Sequence, residues 1–168
     1  MPHADFPEPS QMDDWQLPWD GGCRCGQIRI HITQPPLLAM ACHCTGCQRM
    51  SASAFSLSIA IPRDGFYVTL GDPVIGGMHG ATRHFFCPHC KSWMFTWLDV
   101  SSDFVNVRPS TLDRHEWFVP FVETYTDEKL PWVQTPAVHR YRGLPPIDDY
   151  ARLIEAYAGQ GARPGVRT

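Results

Sequence analysis

Seven cysteines at short, regular spacings constrain this chain more than any other feature. They run Cys23-x-Cys25, then Cys42-x-Cys44-x-x-Cys47, then Cys87-x-x-Cys90. Thiols clustered on turns suit a divalent ion, because thiolates bind zinc tetrahedrally through sulfur. An odd number of cysteines is a poor basis for a disulfide framework. The first cluster lies in W-D-G-G-C-R-C-G at 19–26, whose glycines permit the turns that wrap two cysteines onto one ion. The last, C-P-H-C at 87–90, separates two aromatic strands at 83–87 and 93–98 and reads as a zinc knuckle at a hairpin tip. The middle cluster has three thiols and no fourth. A structural zinc usually has four protein ligands, whereas three leave a position for water or substrate. The expected arrangement is one closed zinc on Cys23, Cys25, Cys87 and Cys90, and one open zinc on Cys42, Cys44 and Cys47. Spacing alone does not decide which cysteines share which ion, and a histidine ligand would close the second site. His43, His84 and His89 are the near candidates. His43 sits between two ligands, where adjacent side chains diverge; His84 and His89 read as covering the first site or facing solvent.

At 168 residues the chain is long enough for one domain with a real core, and no apolar run reaches transmembrane length. Fourteen Lys+Arg against 17 Asp+Glu, with both signs scattered, provide no basic stripe for nucleic acid. The opening M-P-H-A-D-F-P-E-P-S lacks the basic-then-apolar pattern of a secretory signal. A cytoplasmic location follows as an expectation, and there thiols stay reduced and serve as ligands.

Residues 1–18, rich in Pro, Asp and Glu, read as a flexible arm whose end Trp15 and Trp19 pin to the body. Residues 19–145 form the expected zinc-binding domain. Ile28, Ile30 and Ile32 alternate with polar residues, the mark of a half-buried strand. Further strands are expected at 37–41, 55–61, 66–70, 104–107 and 117–123, with only a brief one at 74–75, where glycines intervene. Residues 49–54 read as a small, polar connection and 127–142 as irregular. At 146–158 the pattern turns helical, with Asp148 as cap and Tyr150, Leu153, Ile154 and Tyr157 on one side. A flexible tail, 159–168, follows. The fold class is therefore mainly β, several short strands with a C-terminal helix.

The frames G-G-C-R-C-G at 21–26, C-H-C-T-G-C-Q-R-M-S at 42–51 and F-C-P-H-C at 86–90 resemble the glutathione-dependent formaldehyde-activating enzyme family. That family includes centromere protein V and has the Mss4-like zinc-binding β fold of short antiparallel strands. S-T-L-D at 110–113 and K-L-P-W at 129–132 resemble its later signatures. Lys91 stands where the family usually has glycine, Gln48 where a basic residue is usual, and 119–123 lacks a histidine otherwise expected. The resemblance implies a structural zinc on Cys23, Cys25, Cys87 and Cys90 and a catalytic zinc on Cys42, Cys44 and Cys47. It also implies glutathione as co-substrate and a carbon–sulfur lyase reaction, joining glutathione and formaldehyde into S-hydroxymethylglutathione or reversing it.

The chemistry is coherent. A thiol attacks formaldehyde as its thiolate, and a zinc with a free position can hold a thiol or polarise an oxygen. Three thiolates leave such a site with net charge −1, which favours positioning a thiol over making a potent hydroxide. His43 is the nearest titratable group, readable as a base or as a hydrogen-bonding support. Arg49 could meet a carboxylate of glutathione or form a structural ion pair. Phe86, Trp93, Phe95 and Trp97 read as core aromatics. Two functions stay open: a lyase-type enzyme acting on a thiol–aldehyde adduct, or a non-catalytic, zinc-stapled binding module for a protein or small thiol. Neither calls for nucleic acid or a membrane. The fourth ligand of the second zinc discriminates between them.

Overall fold

The isoleucine alternation is the inner face of a small antiparallel sheet. Its strands are β1 (Trp19–Gly22), β2 (Arg29–Ile32) and β5 (Phe66–Leu70), in the order β1-β2-β5. Ile28, Ile30 and Ile32 are fully buried, as side chains on one face of a strand must be when that face meets the core. The computed structural model describes residues 13–99 and 103–165. The first twelve residues of the expected arm and the last three of the tail lie outside them.

The second sheet uses β3 (Leu38–Cys42), β4 (Ser56–Pro62), β6 (Val74–His79), β7 (Thr82–Phe86), β8 (Trp93–Trp97), β9 (Phe104–Val107), β10 (Val122–Thr124) and β11 (His139–Arg140). Their spatial order is β11-β10-β3-β4-β9-β8-β7-β6. Neighbours pair antiparallel, except that β10 runs parallel to both β3 and β11. Ile59, Ile61, Met94, Phe95, Val105 and Val107 from this sheet join the isoleucines in the core. The mainly β architecture expected from the sequence is thus present.

Local differences have local causes. Of the expected strand at 117–123 only β10 forms, because Pro120 has no N–H to donate to a ladder. β6 runs for six residues despite its glycines. Gly76 lets the Phe86 ring close in, where a Cβ would stand 2.4 Å from a ring carbon. Residues 45–51, read as turn and connection, form a helix, α1 (Thr45–Ser51). It buries none of its residues, so no apolar periodicity could betray it.

α2 (Tyr150–Gln160) turns Leu153 and Tyr157 into the core. Asp148, the expected cap, lies in a 3-10 turn (Ile147–Asp149) that leads into the helix. Trp15 is buried with its ring centroid 5.8 Å from Tyr157, 6.1 Å from Trp19 and 6.2 Å from Trp117. Arg163 covers Trp15 at 4.9 Å and pairs with Asp14 at 3.1 Å, so segments from both ends of the chain close on one another. No helix among the described residues is long and apolar enough to cross a membrane.

Candidate metal centres

Cys23 and Cys25 lie in the β1–β2 connection, and Cys87 and Cys90 in the β7–β8 connection. The four thiols therefore join the tips of two hairpins from different sheets. Gly26, at φ +79°, turns the first tip so that its N–H reaches the Cys23 carbonyl at 3.0 Å. Lys91 turns the second at φ +60°, with its N–H on the Cys87 carbonyl at 3.1 Å. This left-handed backbone is why glycine suits that position. All four Sγ atoms lie within 4.8 Å of one another, with Cys23 and Cys25 at 3.5 Å and Cys25 and Cys87 at 3.7 Å. A tetrahedral zinc with Zn–S bonds of about 2.3 Å sets its sulfurs about 3.8 Å apart. The donor set fits such an ion, and every cysteine is free of disulfide bonds.

The second set is built by α1. Cys42 ends β3, Cys44 caps the helix, and Cys47 lies in its first turn, where its N–H meets the Cys44 sulfur at 3.3 Å. An N-cap side chain bends back over the first turn, which brings these two thiols to one point. The three Sγ atoms lie within 4.8 Å of one another, and no fourth His, Cys, Asp or Glu donor among the described residues joins them. The Cys47 thiol's hydrogen bond holds Cys42 down to about 5 against the effect of burial, with help from Thr124. The same contact, together with burial, drives Cys47 far up, and burial raises Cys44. Three sulfurs thus share one negative charge until a cation joins them.

His43 does not join these thiols as a donor. It is fully buried, its ring edge rests on Phe55 at 5.4 Å, and its Nε2–H donates to Glu123 at 3.2 Å. Glu123, also fully buried, accepts from Lys129 at 2.7 Å, Thr135 at 2.7 Å and Arg140 at 3.0 Å. Burial raises this carboxyl, but the hydrogen bonds from Lys129 and Thr135 and the Lys129 charge outweigh it and hold Glu123 at about 2. Gln48 donates to the carbonyls of His43 at 2.6 Å and Glu128 at 3.0 Å, and the Glu128 carboxylate accepts the Thr45 N–H at 2.6 Å. These contacts bind the cysteine loop to residues 123–135, among them Lys129 of the K-L-P-W stretch. Arg49 is exposed on the last turn of α1, and His89 is exposed beside Cys90.

A cleft of about 540 Å³ lies between α1 and the β7–β8 hairpin, lined by Met50, Ser51, Ser56, Phe86, Trp93 and Arg108 among others. It meets the three-thiol set through Ser51 and Ser56, whose side chains bond the Cys47 carbonyl and thiol. Arg49 does not line it. The buried guanidinium of Arg108 lies 3.9 Å from the Trp93 ring centre and donates to the Leu57 carbonyl at 2.9 Å and Thr96 Oγ1 at 3.3 Å. Its Nε has no partner. Thr96 Oγ1 also accepts from Trp93 Nε1 at 3.2 Å and lies 2.9 Å from His84 Nδ1. With both acceptor sites taken, the hydroxyl donates its proton to His84, whose Nδ1 is therefore bare. Burial, then the Arg108 charge, push His84 down to about 4, in keeping with that assignment. Burial lowers Arg108 to about 10, with the negative charge shared by the Cys47 and Cys42 thiols opposing it, so it stays cationic at neutral pH.

Sequence reasoning passed over Arg108. On β9, Val105 and Val107 face inward, so Asn106 and Arg108 look like a solvent side. Yet Ser56, Ser58, Thr96, Asn106 and Arg108 are all buried. The aromatics also divide. A bulge between Phe85 and Phe86 pairs Phe95 with Phe85 but Trp93 with Phe86. Phe95 stacks on Phe85 in the core as expected, while Trp93 stacks on Phe86 in the cleft wall.

A crystal structure of a Rhodobacter sphaeroides protein resembles this chain at TM-score 0.47 and 16% identity, over 73% of this chain and 98% of that one. No curated protein matches it significantly. The glutathione-dependent formaldehyde-activating enzyme family matches residues 18–128, a stretch that holds all seven cysteines, His43, Arg108 and Glu123, and the chain belongs to that family.

Proposed function

We propose that this protein is a zinc-dependent, carbon–sulfur lyase-type enzyme acting on a thiol–aldehyde adduct of the S-hydroxymethylglutathione kind. One observation carries the reading: Cys42, Cys44 and Cys47 converge without a fourth protein donor among the described residues, whereas the other set has four. Cys23, Cys25, Cys87 and Cys90 would hold a structural zinc, and the three-thiol set a catalytic one. When bound there, zinc supplies an open coordination position able to hold a thiolate or polarise a hydroxyl oxygen. Membership of a family described as glutathione-dependent and formaldehyde-activating supports glutathione and formaldehyde as the reacting pair.

In the synthetic direction, the thiolate sulfur attacks the carbonyl carbon and a C–S bond forms. The C=O π pair moves to oxygen, which gains the proton that the thiol has lost. The lyase direction reverses each step. The chain's part is to fix the sulfurs. Cys44 is held by the start of α1, and the loop between Cys42 and Cys44 is clamped through His43 to Glu123. His43, sealed from solvent and committed to Glu123, is assigned to positioning rather than to proton transfer.

Thiols add to formaldehyde unaided, so the test is a rate. The exchange between free formaldehyde and its glutathione adduct is measured by NMR with wild type and Cys44→Ser, both shown to be folded. Acceleration by the wild type alone is expected. Equal rates with and without wild-type protein, even at high concentration, sink the proposal.

A further inference from the structure

We propose that the cleft between α1 and the β7–β8 hairpin is an anion-binding pocket for the carboxylate-bearing body of a thiol, anchored by Arg108. Its lining contains three cations, Arg24, Lys91 and Arg108, and no Asp or Glu. Arg24 and Lys91 are exposed at the rim, whereas Arg108 is only 8% exposed. Among the described residues no carboxylate pairs with Arg108, whose partners are the Leu57 carbonyl and Thr96 Oγ1. Its Nε is buried and unpartnered, while Nη1 and Nη2 make one hydrogen bond each. A buried N–H without an acceptor costs roughly 1–3 kcal/mol, so a ligand that supplies an acceptor recovers that penalty. Carboxylates match guanidinium in charge and geometry.

The shape agrees with a small peptide. A cleft of about 540 Å³ has room for a molecule of glutathione's size. One wall is apolar, the parallel pair Phe86 and Trp93 with centroids 6.0 Å apart. The other walls carry hydroxyls from Ser51, Ser53, Ser56, Ser92 and Ser110. Cys42, Cys44 and Cys47 do not themselves line the cleft, but Ser56, which bonds the Cys47 thiol, does, so the three-thiol set lies behind that wall. Arg108 would then do what sequence reasoning had given to Arg49.

The choice of ligand rests on the lyase reading, but the test does not need turnover. S-methylglutathione keeps both carboxylates and has no free thiol. Its binding to metal-loaded protein is measured by calorimetry, beside its diethyl ester, in which both carboxylates are masked. Expected are saturable binding by the wild type and at least tenfold weaker binding of the ester. Arg108→Met should weaken S-methylglutathione at least tenfold, and Arg108→Lys less. If Arg108→Met is unfolded, the rim double variant Arg24→Gln/Lys91→Gln decides: weakening of threefold or more supports the pocket, and an unchanged Kd overturns it. No binding at millimolar ligand, or equal affinity for acid and ester, also overturns it. Arg108-dependent binding without accelerated exchange would keep the pocket and remove the lyase. Accelerated exchange with binding indifferent to Arg108 would do the reverse.

Discussion

Glu123→Gln isolates the support of the cysteine loop, because it keeps size and removes charge. In the wild type one carboxylate oxygen accepts from His43, Lys129 and Thr135, and the other from Arg140. An amide can satisfy the first three through its oxygen, but its NH2 then faces the Arg140 N–H, donor against donor. A carboxyl held at about 2 instead of 4.5 carries roughly 3 kcal/mol of stability at neutral pH. Arg140 is 58% exposed, so water screens part of this, and a loss of about 2 kcal/mol is the working figure. That corresponds to a fall in Tm of about 4–8 °C for a chain of this length. The sign in pH follows. Glu123 is depressed by folding, so its contribution is full above about 4.5 and is lost as pH falls through about 2. Thermal unfolding of wild type and variant at pH 7 and pH 3 measures this. Any metal held by the thiol sets would be lost from both proteins at acid pH, so only their difference is read. A gap of 4–8 °C at pH 7 that narrows by pH 3 is expected. A gap below 1 °C, or one independent of pH, would refute the role given to the Glu123 network.

Three further outcomes follow. Cys87→Ser should unfold the domain, while Cys44→Ser retains the far-UV spectrum of the wild type; equal loss of structure would mean that the two thiol sets are not divided as proposed. Lys91→Gly should raise stability by about 1 kcal/mol, the usual cost of a left-handed non-glycine residue, with an unchanged or lower denaturant midpoint counting against it. Trp15→Ala should cost about 3–5 kcal/mol, because that ring packs on Trp19, Trp117 and Tyr157; a loss under 1 kcal/mol would show that the segment before β1 is not part of the core.

The sequence by itself determined the kinds of ligand and the inner face of the small sheet. Sulfur donors at x, x-x spacing and isoleucines at every second residue are short-range features, and short-range geometry is nearly the same in any fold. The late helix was legible for the same reason, since Leu153, Ile154 and Tyr157 repeat at its pitch. Only the tertiary structure brought Cys25 within 3.7 Å of Cys87, 62 residues away, because that contact depends on which hairpins of two sheets meet. It alone revealed α1, whose helix has no buried face to leave a pattern. It alone turned Trp93 into the cleft, through a bulge that reverses the side a strand residue faces. Arg108 and Glu123 belong with these. A lone strand shows that a polar residue faces away from the core, not whether that side meets water or is covered, and here both residues are covered.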